Sequence, residues 1–80
     1  MNIQLIEGEF KSSDAFDLIN QMIQVKIKFH ENKITKSELE EDIKAREAKI
    51  KRLQRDLFEL RNNISSKTGG IKLNVKINIE

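Results

Sequence analysis

Apolar and polar positions alternate at both ends of the chain, and apolar residues at helical spacing fill the stretch between them. From Ile71 to Ile79 every second residue is aliphatic (Ile71, Leu73, Val75, Ile77, Ile79), with Lys72, Asn74, Lys76 and Asn78 in between. A faultless period of two predicts a strand over 71–79 that buries one face and keeps the other in water. Gly69 and Gly70 precede it and let the chain turn. Near the N-terminus Ile3 and Leu5 alternate with Asn2 and Gln4, and Ile6 breaks the alternation before Glu7 and Gly8. This shorter pattern predicts a strand over 2–6.

The second half of the middle segment carries a seam. Leu39, Ile43, Ile50, Leu53, Leu57, Leu60 and Ile64 follow alternating steps of four and three, with one step missed at Arg46. Thr35-Lys36-Ser37-Glu38 has the spacing of a capping box, with Ile34 and Leu39 at the positions of a hydrophobic staple. Glu38, Glu40, Glu41 and Asp42 then fall in the first turns, where the helix dipole favours anions. Glu40/Lys44, Asp42/Arg46 and Glu47/Lys51 are spaced for i,i+4 pairing. These signals predict a helix over 36–63, about 42 Å long at 1.5 Å per residue.

In the first half, Ser12, Ser13 and Asp14 offer caps. Ala15, Leu18, Met22, Val25 and Phe29 form one helical stripe, and Phe16, Ile19, Ile23, Ile27 and His30 form a second beside it. Residues 23–29 also alternate and are rich in β-branched side chains, as a strand would be. The helical period begins eight residues earlier, at Ala15, with no turn residue in between, so a helix over 14–30 is the expectation. His30-Glu31-Asn32-Lys33 is then the connection between antiparallel helices.

The expected fold is α+β, strand-helix-helix-strand: a single domain over 1–80 with a long antiparallel helical hairpin and paired terminal strands, completed by dimerisation. A two-stranded sheet is marginal in water. Helices of about 18 and about 28 residues would also leave the end of the second without a complete partner. The surface assigned to a second copy comprises Leu53, Leu57, Phe58, Leu60, Ile64, Val75 and Ile77. A homodimer is the expected state.

Composition narrows the chemistry. With 80 residues, the chain buries only about 60–65% of the surface its unfolded form exposes. No cysteine is present to add a disulfide or a thiolate-held metal. His30 is the only histidine, and a lone histidine on an apolar stripe is more often structural than catalytic. His30-Glu31 begins like a zinc-protease helix motif, but position 34 is Ile34. The carboxylates at 38–42 read as a solvated helix start, with no apolar pocket to raise a pKa. Ser66-Lys67-Thr68-Gly69-Gly70 lacks the glycines before lysine that a phosphate loop needs, and reads as a turn. Asn63-Ile64-Ser65 matches a glycosylation sequon and carries no weight in a chain expected to stay in the cytoplasm. That location is expected because Met1-Asn2-Ile3-Gln4 does not resemble a signal peptide and no apolar run reaches the ~18 residues of a membrane span. No cofactor, metal, membrane or small-molecule substrate is implied, and no enzymatic activity is expected.

The expected function is that of a small non-enzymatic homodimeric protein-protein interaction or structural module, any further protein partner being unknown. The alternative reading is accessory nucleic-acid binding through Lys44, Lys51, Arg52 and Arg55 in the second helix. A net charge of +2 is too small to support it, and there is no Tyr or Trp to stack on bases. The order strand, helix, helix resembles that of the ribbon-helix-helix repressors, whose N-terminal strands enter the major groove. That likeness is one of order alone. Asn2, Gln4, Glu7 and Glu9 offer no cation where those strands read DNA, and the second helix is far longer.

Overall fold

The computed structural model describes residues 1–67 and 69–80. Four elements follow in order: β1 (Asn2–Phe10), α1 (Ser12–Lys36), α2 (Glu40–Ser65) and β2 (Ile71–Asn78). β1 and β2 pair antiparallel in a two-stranded sheet. The helices form an antiparallel hairpin. Phe16 near the start of α1 meets Arg61 near the end of α2, and His30 late in α1 meets Arg46 early in α2. The α+β order expected from the pattern is therefore present, and residues 23–29 are helical.

The phase break at Ile6 is a β-bulge. Ile3 pairs with Ile77 and Ile6 with Val75, so Leu5 is an extra residue with no partner on β2. Without it, a period of two would send Ile6 to the opposite face from Ile3. With it, Ile3 and Ile6 both share a face with Val75 and Ile77, and the strand continues in register through Gly8↔Leu73 to Phe10↔Ile71. Across the polar face the same register sets Glu9 opposite Lys72, a favourable cross-strand pair. The Gln4 side chain binds the bulge together, its Nε2 donating to Ile6 O at 3.0 Å, Asn74 Oδ1 at 2.7 Å and Val75 O at 3.2 Å. β1 thus runs to Phe10, well past the expected end at Ile6. A bulge looks like a strand end when only alternation is counted.

The hairpin turns later than its caps suggest. The connection expected at 30–33 lies inside α1, and the helices are joined instead at 37–39. Ile34, half-buried, prolongs the stripe of Ile23, Ile27 and His30 at the same spacing, so packing favours another turn and a half of helix. The expected capping box is not formed. The Thr35 hydroxyl donates to Glu31 O within α1 at 3.1 Å, and Leu39, expected to staple to Ile34, is largely exposed. Ser37 makes the corner, its extended backbone closing α1 and its Oγ accepting the Leu39 N–H at 3.2 Å. Lys33 and Lys36 end α1 while Glu40, Glu41 and Asp42 begin α2, each matched to the local dipole.

α1 and α2 have 25 and 26 residues. The unequal lengths expected from the pattern are therefore corrected, because α1 starts earlier and ends later than its caps implied. The Leu57 to Ile64 end of α2 has the first turns of α1 beside it, and Ile64 is buried within one chain. After α2 the chain turns toward β2. The turn expected over 66–70 includes Thr68, which lies outside the described residues. Gly69 has φ +97, a left-handed backbone open to glycine.

The core is thin. Among the described residues the buried apolar side chains are Ala15, Ile27 and Ile64, and no large side chain is fully enclosed. The Cα atoms span 47 × 33 × 14 Å, with a radius of gyration of 15.2 Å against about 12 Å for a compact chain of this length. Strand meets strand and helix meets helix, while the ribbon touches the hairpin chiefly where β2 passes α1. The chain is a slab, and its third dimension has room for only about two layers.

Candidate functional site

Two features of the slab invite a partner: an uncovered apolar stripe on α1 and a basic groove between the helices. At about 100° per residue, Phe16, Ile19, Ile23, Ile27, His30 and Ile34 form the α1 arc that packs on α2. Leu18, Met22, Val25 and Phe29 lie roughly a third of a turn away. Leu18 and Met22 are half-buried, but Val25 is 72% exposed and Phe29 is also open to solvent. α2 cannot cover this second stripe, because its own apolar residues occupy one arc. Ile43, Ile50, Leu53, Leu57, Leu60 and Ile64 all fall within it. Phe58 stands off that arc and is 66% exposed. On the ribbon, exposure rises toward the free end, where Leu5, Ile77 and Ile79 are uncovered.

The residues assigned to a second copy therefore divide. Leu53, Leu57, Leu60 and Ile64 lie on the seam facing α1 of the same chain, and Val75 is half-buried on the apolar face of the ribbon. Phe58 and Ile77 are exposed. Val25 and Phe29 join them. The sequence pattern contained both as a stripe but did not show which of two adjacent stripes α2 would take.

Arg46, the missed step in the α2 seam, has partners. Its Nε donates to Asp42 Oδ2 at 3.3 Å and its Nη1 donates to His30 Nδ1 at 3.1 Å. The guanidinium also lies 5.9 Å from the centroid of the Phe29 ring, which Lys33 approaches at 5.6 Å. Because arginine only donates, His30 accepts at Nδ1 and is neutral, with its hydrogen on Nε2. Burial holds the His30 pKa below its ordinary value, and the nearby charges of Arg46, Lys49 and Lys26 lower it further. The Ser37 hydroxyl, together with Arg46, holds the Asp42 carboxyl below the usual carboxylate range against the opposing effect of burial. An Arg46→Leu variant, which would improve a plain apolar seam, is expected to melt below wild type. It leaves His30 Nδ1 without its donor and removes one of the two groups that hold the Asp42 carboxylate.

The pH dependence follows from these directions. Above pH 6.5 the imidazole is neutral in folded and unfolded chains alike. Below it the unfolded chain takes up a proton that the folded chain resists, so stability falls with pH from 6.5 toward the lowered folded value. Asp42 contributes stability that is intact above its unfolded value of 3.8 and is lost as pH drops through its lower folded value. Urea midpoints measured from neutral pH to about pH 5 should decline for wild type and stay flat for His30→Gln, since no other histidine exists.

The groove beside this network is lined by Lys26 and His30 of α1 and by Lys49, Arg52, Leu53 and Asp56 of α2, and encloses ≈ 270 Å³. Of the four cations assigned to nucleic acid, only Arg52 lines it. Lys44, Lys51 and Arg55 lie on the opposite flank of α2, where Lys44 pairs with Glu40 at 3.4 Å between two exposed side chains. Lys49 belongs to the basic run of the sequence from Lys44 to Arg55 but not to the assigned contact set, and Lys26 to neither, because their proximity depends on the hairpin register. Among the described residues no three His, Asp or Glu side chains approach closely enough to hold a metal ion, and no helix is long and apolar enough to cross a membrane. Compared with protein-family models, with curated proteins and with solved structures, the chain has no match.

Proposed function

We propose that the protein is a small non-enzymatic association module that works as a homodimer, each copy covering apolar surface that the other cannot bury alone. The surface area carries this reading. The chain exposes 6528 Å², whereas a folded monomer of 9.3 kDa exposes about 5,000 Å². The excess of about 1,500 Å² per chain, hidden in a pair, amounts to about 3,000 Å², within the range of obligate dimers. Val25, Phe29, Phe58 and Ile77 supply apolar side chains for such an interface, and a two-fold axis lets one patch serve both copies.

Linkage provides the test. If folding and association are coupled, raising the protein concentration about a hundredfold should raise the melting temperature by several degrees. A melting temperature independent of concentration would overturn the reading.

A further inference from the structure

We propose that the groove between α1 and α2 binds a phosphate group, held by Lys26, Lys49 and Arg52 with the His30 Nε2–H as its buried donor. His30 is 7% exposed, and its Nε2 is buried with no hydrogen-bond partner. Arg46 occupies the other ring nitrogen, so the imidazole cannot turn its unused N–H away without losing that bond. Buried N–H groups are rarely left unpaired.

The surrounding charge points to the same kind of ligand. Lys26, Lys49 and Arg52 line the groove with only Asp56 to oppose them. None of the four belongs to an ion pair within 4.0 Å among the described residues. Three cations and an N–H donor therefore share one small space with a deficit of acceptors. A tetrahedral oxyanion supplies acceptors to all of them at once. At ≈ 270 Å³ the space is below the range of pockets that enclose drug-sized ligands, which suits a phosphate group with a few waters.

All the lining residues come from one chain, so no residue of a second copy completes the site. The probe is inorganic phosphate, titrated into the full chain at neutral pH while the His30 ring nitrogens are followed by NMR. Saturable binding with a shift at His30 Nε2 is expected. Lys49→Gln and Arg52→Gln should each weaken it about tenfold, Arg52→Lys should retain most of it, and circular dichroism should show each variant folded. Lys51→Gln and Arg55→Gln, on the opposite flank, should leave it unchanged. Absence of saturation, a His30 resonance that does not move, or equal losses from Lys51→Gln and Lys49→Gln would overturn the proposal.

Discussion

Ile27→Ala should cost about 2–5 kcal/mol, the range for removing a buried isoleucine side chain from a packed site. For a chain of 80 residues the whole folding free energy is expected at about 4–12 kcal/mol, so one truncation removes a large part of it. The effect is large because Ile27 has so little company: Ala15 and Ile64 are the other buried apolar residues among those described. Ile27 also sits midway along α1, on the arc facing α2, where neither helix end can fray to relieve the gap. Urea denaturation at one fixed protein concentration measures the loss. A change below about 0.5 kcal/mol would show that the two helices do not rely on this contact.

Val25→Gln separates two accounts of the molecule. In an isolated chain Val25 is 72% exposed on a helix, and glutamine has the better helix propensity, so the substitution would be neutral or slightly stabilising. In a symmetric dimer that covers this stripe, each copy loses a buried valine, and the change is felt twice. Burial of a valine contributes about 1.5–3 kcal/mol, so the dimer should weaken by about 3–6 kcal/mol. That corresponds to a dissociation constant raised more than about a hundredfold. Analytical ultracentrifugation of the variant over a dilution series reads this directly. An unchanged constant would remove Val25 from the interface.

Much of the architecture is visible in the pattern of residues, and the departures have local causes. Ile71 to Ile79 alternates without interruption because that strand has no bulge, and its limits differ from the observed ones by a single residue. The pattern alone ends β1 at Ile6 because Leu5 is an inserted residue: the apolar positions resume in the other phase, and Gly8 then supplies no side chain to continue the count. The hairpin corner was displaced because Thr35 and Glu38 have the spacing of a cap while the packing of Ile34 keeps Thr35 helical. The cap's local hydrogen bonds lost to packing on the neighbouring helix, where Ile34 is half-buried; a cap contributes only about 1 kcal/mol. The pairing of Arg46 with His30 and the meeting of Lys26 with Lys49 and Arg52 depend on helix-to-helix register. No spacing within either helix encodes that register. The excess of apolar stripes over covering surface is legible in the sequence, but the unequal helices that the pattern predicts are absent. Its source is instead the second stripe of α1 and the free end of the ribbon.

The shape of the slab unites these observations. A bulged ribbon and a two-helix hairpin each bury one side against little else, and a 14 Å thickness leaves no third layer within the chain. His30, Arg46 and Asp42 fix the hairpin near its corner with polar contacts, and Ile27 and Ile64 hold it along its length. The open side of α1 is the surface proposed to meet a second copy.

Sedimentation equilibrium of the wild-type chain at micromolar concentration is the most direct test of that claim. The account predicts a single folded species of twice the 9.3 kDa chain mass, dissociating only where folded structure is also lost. A stably folded species at 9.3 kDa across the same concentrations would contradict it.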